Sequence, residues 1–390
     1  MKIQNVLERF FEVCLIMKAC VITLHNINNY GSVMQTYATQ HLLESLGLEV
    51  EIIDYWRPNT VPEVRAQNLL NSRTMRKLKP IWGISPITEK ATLSFLKSHF
   101  ADKESVMWKF LKKHVTLSQK RYYSIDELKQ EDFHAEIYIT GSDQVWNSKW
   151  NGGIDRVFFL EFAPEKAKRI AFSSSIGRTS FDEEEIAETK ELLQKYNAIS
   201  VREQSAVDLL KTIGIDSTLV PDPTLMLTAE EWKSIEHYDY QFDRPYLLIY
   251  QLHGNNRMDG YAAELAKRNS WDIVRIGQSR SDRKRIGKCL LGISVEQFLG
   301  LFSHAACVLT DSFHATAFSL NFGVNFVDVL PDEFGTRIES ITALTGTQNR
   351  ILRDYADYSI ANNSIDIEHV KAVLDEQRKT GMEFLKRSIG

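Results

Sequence analysis

Residues 305–320 read AACVLTDSFHATAFSL and hold a complete junction between a strand and a helix. Residues 305–309 are short, apolar and partly β-branched, the pattern of a buried strand. Asp311 or Ser312 suits the cap of a helix, which Ala315, Ala317, Phe318 and Leu320 continue. Residues 324–329 read as the next strand. His314 therefore falls in the first turn of a helix, just past the C-terminal end of a buried strand. Open α/β sheets bind ligands at that edge, and the N–H groups of a helix start favour anions. Taken alone, such a histidine is either structural or catalytic.

The same alternation extends in both directions. Strand patterns cover 21–24, 50–53, 137–140, 170–173 and 199–201, with a helix over 32–46 that Gly47 stops. Pro221 and Pro223 interrupt the series and read as a link between domains. A second series has strands at 246–250, 273–276, 307–310 and 326–329, a helix at 295–303 and a long closing helix over 366–388. The expectation is an α/β chain with a 1–16 extension, an N-terminal domain over 17–222, a C-terminal domain over 223–365 and a closing segment over 366–390. Two α/β domains joined by a short link leave a cleft between them, a common ligand position.

Composition bounds the class. The chain has 390 residues, is 43% apolar and carries a net charge of −4, which argues against a nucleic-acid partner. Cys14, Cys20, Cys289 and Cys307 form no CxxC pair. Reduced thiols in a cytoplasm fit that spacing better than a disulfide framework or a zinc site. No stretch approaches the ~18 apolar residues of a membrane-spanning helix. Residues 65–125 differ from the rest, with 13 Lys or Arg against three acids. Trp82, Phe95, Phe100, Trp108 and Phe110 are interspersed among them. This basic helical insertion is either a solvated flank or a surface for an anionic lipid or a diphosphate-bearing acceptor. The second reading places the protein at the inner face of the membrane.

Three loops carry polar groups at strand ends. The stretch 25–31, HNINNYG, brings Asn29, Tyr30 and Gly31 to a helix start, and it is not a GxGxxG fingerprint. The stretch 141–147, GSDQVWN, offers Ser142 and Asp143 to sugar hydroxyls and Trp146 to a sugar ring. It reads equally as a capped turn with a core tryptophan. Arg202 and Arg337 each follow a strand and can hold a carboxylate or phosphate, or pair with a neighbouring acid such as Glu203.

Taken together and in order, NNYGSVMQTYATQHLLESLGLEVEIIDYWRP, GSDQVWN, SVREQSA, VPDPTLML and TDSFHATAFSL resemble the polysaccharide pyruvyl transferase family over about residues 17–388. The resemblance implies a GT-B-like fold with two Rossmann-like domains facing across a cleft. It implies transfer of pyruvate from phosphoenolpyruvate, as co-substrate, onto two hydroxyls of one sugar to give a cyclic ketal, with no metal or cofactor. The acceptor is then a glycan or a lipid-linked saccharide of the cell envelope. On the same resemblance Arg202 is the donor-binding arginine and His314 the acid/base. Many members have Arg-Leu before that histidine, where this chain has Ser312-Phe313, which joins Arg202 in the expected donor site. Arg337 is the substitute for the absent arginine. Two other readings keep the same cleft: a GT-B glycosyltransferase using a nucleotide sugar, and a non-catalytic glycan- or phosphate-binding relative.

Overall fold

The computed structural model describes residues 17–83, 85–100, 105–331 and 335–390. The 1–16 extension and the Asp332–Phe334 part of the stretch before Arg337 lie outside them. Two parallel sheets organise the chain. The first has the order β2-β1-β3-β4-β5-β6, with β1 Lys18–Ile22, β2 Glu49–Ile52, β3 Ile137–Thr140, β4 Lys168–Ser174, β5 Ala198–Val201 and β6 Thr218–Leu219. The second has the order β11-β10-β7-β8-β9, with β7 Tyr246–Tyr250, β8 Asp272–Gly277, β9 Lys288–Leu291, β10 Cys307–Thr310 and β11 Phe326–Asp328. Every pairing is parallel. Parallel strands are covered on both faces and so read as unbroken apolar runs. That is why β3 and β10 stand out in the sequence, whereas β6, with two residues, and β9, which begins at an exposed lysine, do not. Cys20 and Cys307 lie in β1 and β10, and burial pushes both thiols up to about 12.

Six helices build or brace the cleft between the sheets: α1 Tyr30–Ser45, α2 Val106–His114, α3 Val295–Ser303, α4 Phe313–Phe322, α5 Gly335–Leu344 and α6 Ile367–Ile389. One apolar cluster runs through both halves, from Val21 of β1 and Val33 of α1 to Phe298, Phe302 and Phe318. Tyr30 is its bridge. Its ring stacks on Phe298 with centroids 4.5 Å apart, an aromatic pair worth roughly 0.5–1.5 kcal/mol beyond area burial. Its hydroxyl donates to the Ile293 carbonyl at 2.9 Å. The expectation that Tyr30 contacts an acceptor is therefore corrected: helix α1 turns it into the interface between the halves.

The link region is likewise more than a connector. Asp222 caps the short Pro223–Met226 helix, accepting from Thr224 N, and that helix packs on α1, α4 and α6. Helix α6 then returns to the first half, where Lys168 Nζ donates to the Ile389 carbonyl at 2.7 Å.

The basic insertion divides in two. Helix α2 belongs to the core through Met107, Phe110 and Leu111, and its Lys113 and His114 both reach Glu296 of α3 at 3.0 Å. Arg121 is also part of the fold, bound to Asp54 at 2.9 Å and lying over the Trp56 ring. Residues 62–83 and 85–100 instead fold around their own small cluster of Ala66, Leu70 and Leu96.

Candidate active site

Each sheet reverses its strand order once, between β1 and β3 in the first and between β7 and β10 in the second. Loops leave such a point in opposite directions and open a crevice. Here the two crevices face each other. A cavity of about 140 Å³ is lined by Asn29 after β1, Asp143 and Gln144 after β3, Leu252 and His253 after β7, and Asp311 to His314 after β10. Asp311 ties two of these loops together, accepting from Leu252 N at 2.7 Å and His253 N at 2.8 Å.

His314 lies on this cavity, in the first turn of α4, and is only 8% exposed. Its ring rests against Gly31 of the opposite half: a Cβ built on Gly31 would lie 2.1 Å from His314 Nδ1. Gly31, expected at the acceptor, is instead the seat of the histidine. His314 Nε2 has no hydrogen-bond partner and lies 4.0 Å from Asp222 Oδ2. Burial pushes the imidazole down to about 4, against the pull of Asp222 and with the help of Arg202. It is therefore neutral at pH 7 and has a nitrogen available for a proton. The Gly31→Ala variant should swing this ring out of place. A displacement of about 1 Å is enough for a loss of about 10²-fold in turnover, while overpacking costs about 1–3 kcal/mol of stability. Turnover near wild type, measured with the melting temperature, would contradict the contact.

Beneath the histidine lies a charged network. The Arg202 side chain is 1% exposed and donates to Asp222 Oδ2 at 2.6 Å and to Asp143 Oδ1 at 3.3 Å, with Glu203 at 3.6 Å. Burial alone would lower the guanidinium, but Asp222, Asp143 and Glu203 outweigh it. Burial opposes ionisation of Asp143 too, yet Arg202, His314 and the Ser32 hydroxyl, 2.7 Å away, hold the carboxyl at about 2. Asp222 is held below the usual carboxylate range by Arg202 and His314 against the same penalty. A donor anion would have to compete with these carboxylates for Arg202.

Ser312 and Phe313 line the cavity. Two cations approach the Phe313 ring, with Arg202 Cζ 5.7 Å and Arg337 Cζ 5.6 Å from its centroid. Arg337, in the first turn of α5, lines the same cavity and a second, more apolar one of about 320 Å³ that Phe313 also lines. Burial and Arg202 lower its guanidinium, though Asp143, Glu203 and Asp222 favour the charge.

Two expected acceptor contacts lie elsewhere. Ser142 is fully buried below the cavity, with Oγ donating to Asp222 Oδ2 at 3.3 Å. Trp146 is a core residue: its ring stacks on Phe159 with centroids 5.6 Å apart, and Nε1 donates to the Phe158 carbonyl. At 5% exposure neither face of the ring is open to a sugar. The tryptophan on the cavity wall is Trp150, one helical turn later and 51% exposed. Asn29 and Asp143 do line the cavity, although the Asn29 side chain also caps α1, accepting from Gly31 N at 2.8 Å. Asp222, Ser32 and Trp150 carry no sequence signal that singles them out.

In overall shape the chain is similar to the UDP-GlcNAc 2-epimerase of Methanocaldococcus jannaschii, with a TM-score of 0.53, 14% identity, and 95% of this chain and 99% of that one covered. It is similar to the Neisseria meningitidis UDP-GlcNAc 2-epimerase bound to UDP-GlcNAc, with a TM-score of 0.51, 11% identity, and 95% and 100% covered. At such identities the likeness concerns the fold, which is GT-B. No curated protein is similar enough in sequence to match. The family model described as polysaccharide pyruvyl transferase matches residues 29–331, a span from the cap of α1 to the cavity wall before α5. The chain therefore belongs to the polysaccharide pyruvyl transferase family.

Proposed function

We propose that the protein transfers pyruvate from phosphoenolpyruvate to two hydroxyls of a saccharide of the cell envelope, forming a cyclic ketal. The observation that carries this reading is the buried, neutral His314, whose unpartnered Nε2 lies 4.0 Å from Asp222 and whose electrostatic neighbours include the cations Arg202 and Arg337. Phosphoenolpyruvate brings a carboxylate and a phosphate, so it needs cations beside a proton-transfer group. Arg337 is the first donor contact in this reading. Arg202 orients Asp222 and Asp143 and reaches the donor by yielding its longer bond, the one to Asp143. Ser312 and the Phe313 ring shape the donor pocket.

The atoms balance through one histidine. His314 takes the proton of the first acceptor hydroxyl and delivers it to the donor methylene carbon, which becomes a methyl group. The hydroxyl oxygen bonds to the adjacent carbon. The second hydroxyl then displaces phosphate from that carbon, and its proton leaves with the phosphate. A base that is neutral at rest suits the first transfer. The bound anions then favour the imidazolium that must act as acid. Asn29, Asp143 and Trp150 line the wall where the acceptor ring would lie.

A ligand that binds only the folded state stabilises it by an amount set by its concentration over Kd, roughly 2.7 kcal/mol at a hundredfold excess. Phosphoenolpyruvate should therefore raise the melting temperature of the wild type and leave that of Arg337→Ala unchanged. A rise with UDP-sugars and none with phosphoenolpyruvate would favour a glycosyltransferase.

A further inference from the structure

We infer that the outer half of the insertion, residues 62–83 and 85–100, is a docking surface for an anionic lipid bilayer. Ile87 is 80% exposed and Phe95 70%, the two highest values among the large apolar side chains of the described residues. Leu78, at 42%, and Val64 and Leu69, at 37% each, belong to the same segment. Ile87 and Phe95 share the helix Pro86–Phe100. At 100° per residue they fall within an arc of about 80° on it, with Ala91 between them. Lys90 and Lys97 border that arc on one side, and Leu93 and Leu96 on the opposite face pack into the local cluster. Large apolar groups flanked by lysines on one face are the arrangement of a helix lying in a membrane interface.

The charge selects the occupant. Residues 62–100 carry seven Lys or Arg against two acids in a chain whose net charge is −4. A second copy of the same face would be repelled by this excess, whereas anionic headgroups are attracted to it. Lys97 is weakly engaged: it lies 3.8 Å from Glu63, and both are exposed. No helix among the described residues is long and apolar enough to cross a membrane, so the contact is peripheral. This inference does not depend on the donor.

The test is cosedimentation of the whole protein with vesicles of phosphatidylcholine alone and of equimolar phosphatidylcholine and phosphatidylglycerol. Wild type should bind the mixed vesicles, not the neutral ones, and release as salt rises. Ile87→Ser with Phe95→Ser, and separately Lys90→Glu with Lys97→Glu, should each lower binding on the order of tenfold, with the melting temperature unchanged because these residues are exposed. Three results would overturn the inference: no binding to mixed vesicles, binding by both double variants equal to that of wild type, or displacement by pyrophosphate at constant ionic strength. The last would point to a small-anion site, and the first to a partner of another kind.

Discussion

His314→Ala is expected to lose on the order of 10²–10⁴-fold in turnover, the range for deleting a general acid–base, while phosphoenolpyruvate still raises its melting temperature. The separation follows from the geometry: His314 lines the cavity with its buried Nε2 unpartnered, and the cations are other residues. The same variant has a signature in stability. In the unfolded chain the imidazole titrates near ~6.5, and in the fold burial holds it at about 4. Between those values the unfolded state takes up a proton that the native state refuses. Wild type therefore loses stability from this residue as pH falls from about 6.5 to about 4, by about 3 kcal/mol. His314→Ala lacks that loss, so its deficit relative to wild type should shrink across the window. The comparison with wild type matters because Asp328 runs the other way. Burial, reinforced by Asp311, raises its carboxyl to about 8 despite the Thr316 hydroxyl. Its destabilising effect therefore builds as pH rises from about 4 to about 8.

Arg202→Ala should be the most destabilising single change in the site. It removes the cation from a place where Asp222 is fully buried and Asp143 nearly so. Breaking such a buried pair leaves uncompensated charge and costs about 3–5 kcal/mol. Turnover should fall as well, because Asp222 would no longer be fixed 4.0 Å from His314 Nε2. The lost stability should be partly regained on acidification, when the abandoned carboxylates can protonate. Arg202→Lys should recover part of the stability but little turnover, since an ammonium lacks the planar fork that bridges two carboxylates. Chemical denaturation at several pH values reads all of this, and an Arg202→Ala protein as stable as wild type would show that the network contributes little.

What the sequence revealed and what it hid have physical causes. Strands β3 and β10 and the histidine after β10 were legible because a strand buried on both faces must be apolar throughout and ends abruptly in polar residues. Arg337 was legible for its place at a helix start, and Asp143 for its place at a strand end. Trp150 was missed because the short helix at 148–151, not any local pattern, carries it to the cavity wall while Trp146 packs in the core. Tyr30 sits in a polar loop by sequence and is claimed by Phe298, which lies 268 positions away. Asp222, between two prolines, looked like part of a link because its role comes from Arg202 and His314, which reach it from two different strand ends. The basic insertion looked uniform, yet Lys113, His114 and Arg121 pair with acids far away in sequence. Long-range pairing of this kind leaves no local periodicity to read.

The most direct measurement is mass spectrometry of a panel of envelope saccharides after incubation with uniformly carbon-13-labelled phosphoenolpyruvate, with and without enzyme. One saccharide should gain the three labelled carbons of pyruvate with loss of one water, as a ketal requires, and should release one inorganic phosphate for each ketal formed. The product should be absent with His314→Ala on the same time scale. A saccharide that instead gains a sugar unit from a nucleotide donor, with phosphoenolpyruvate unconsumed, would contradict the account.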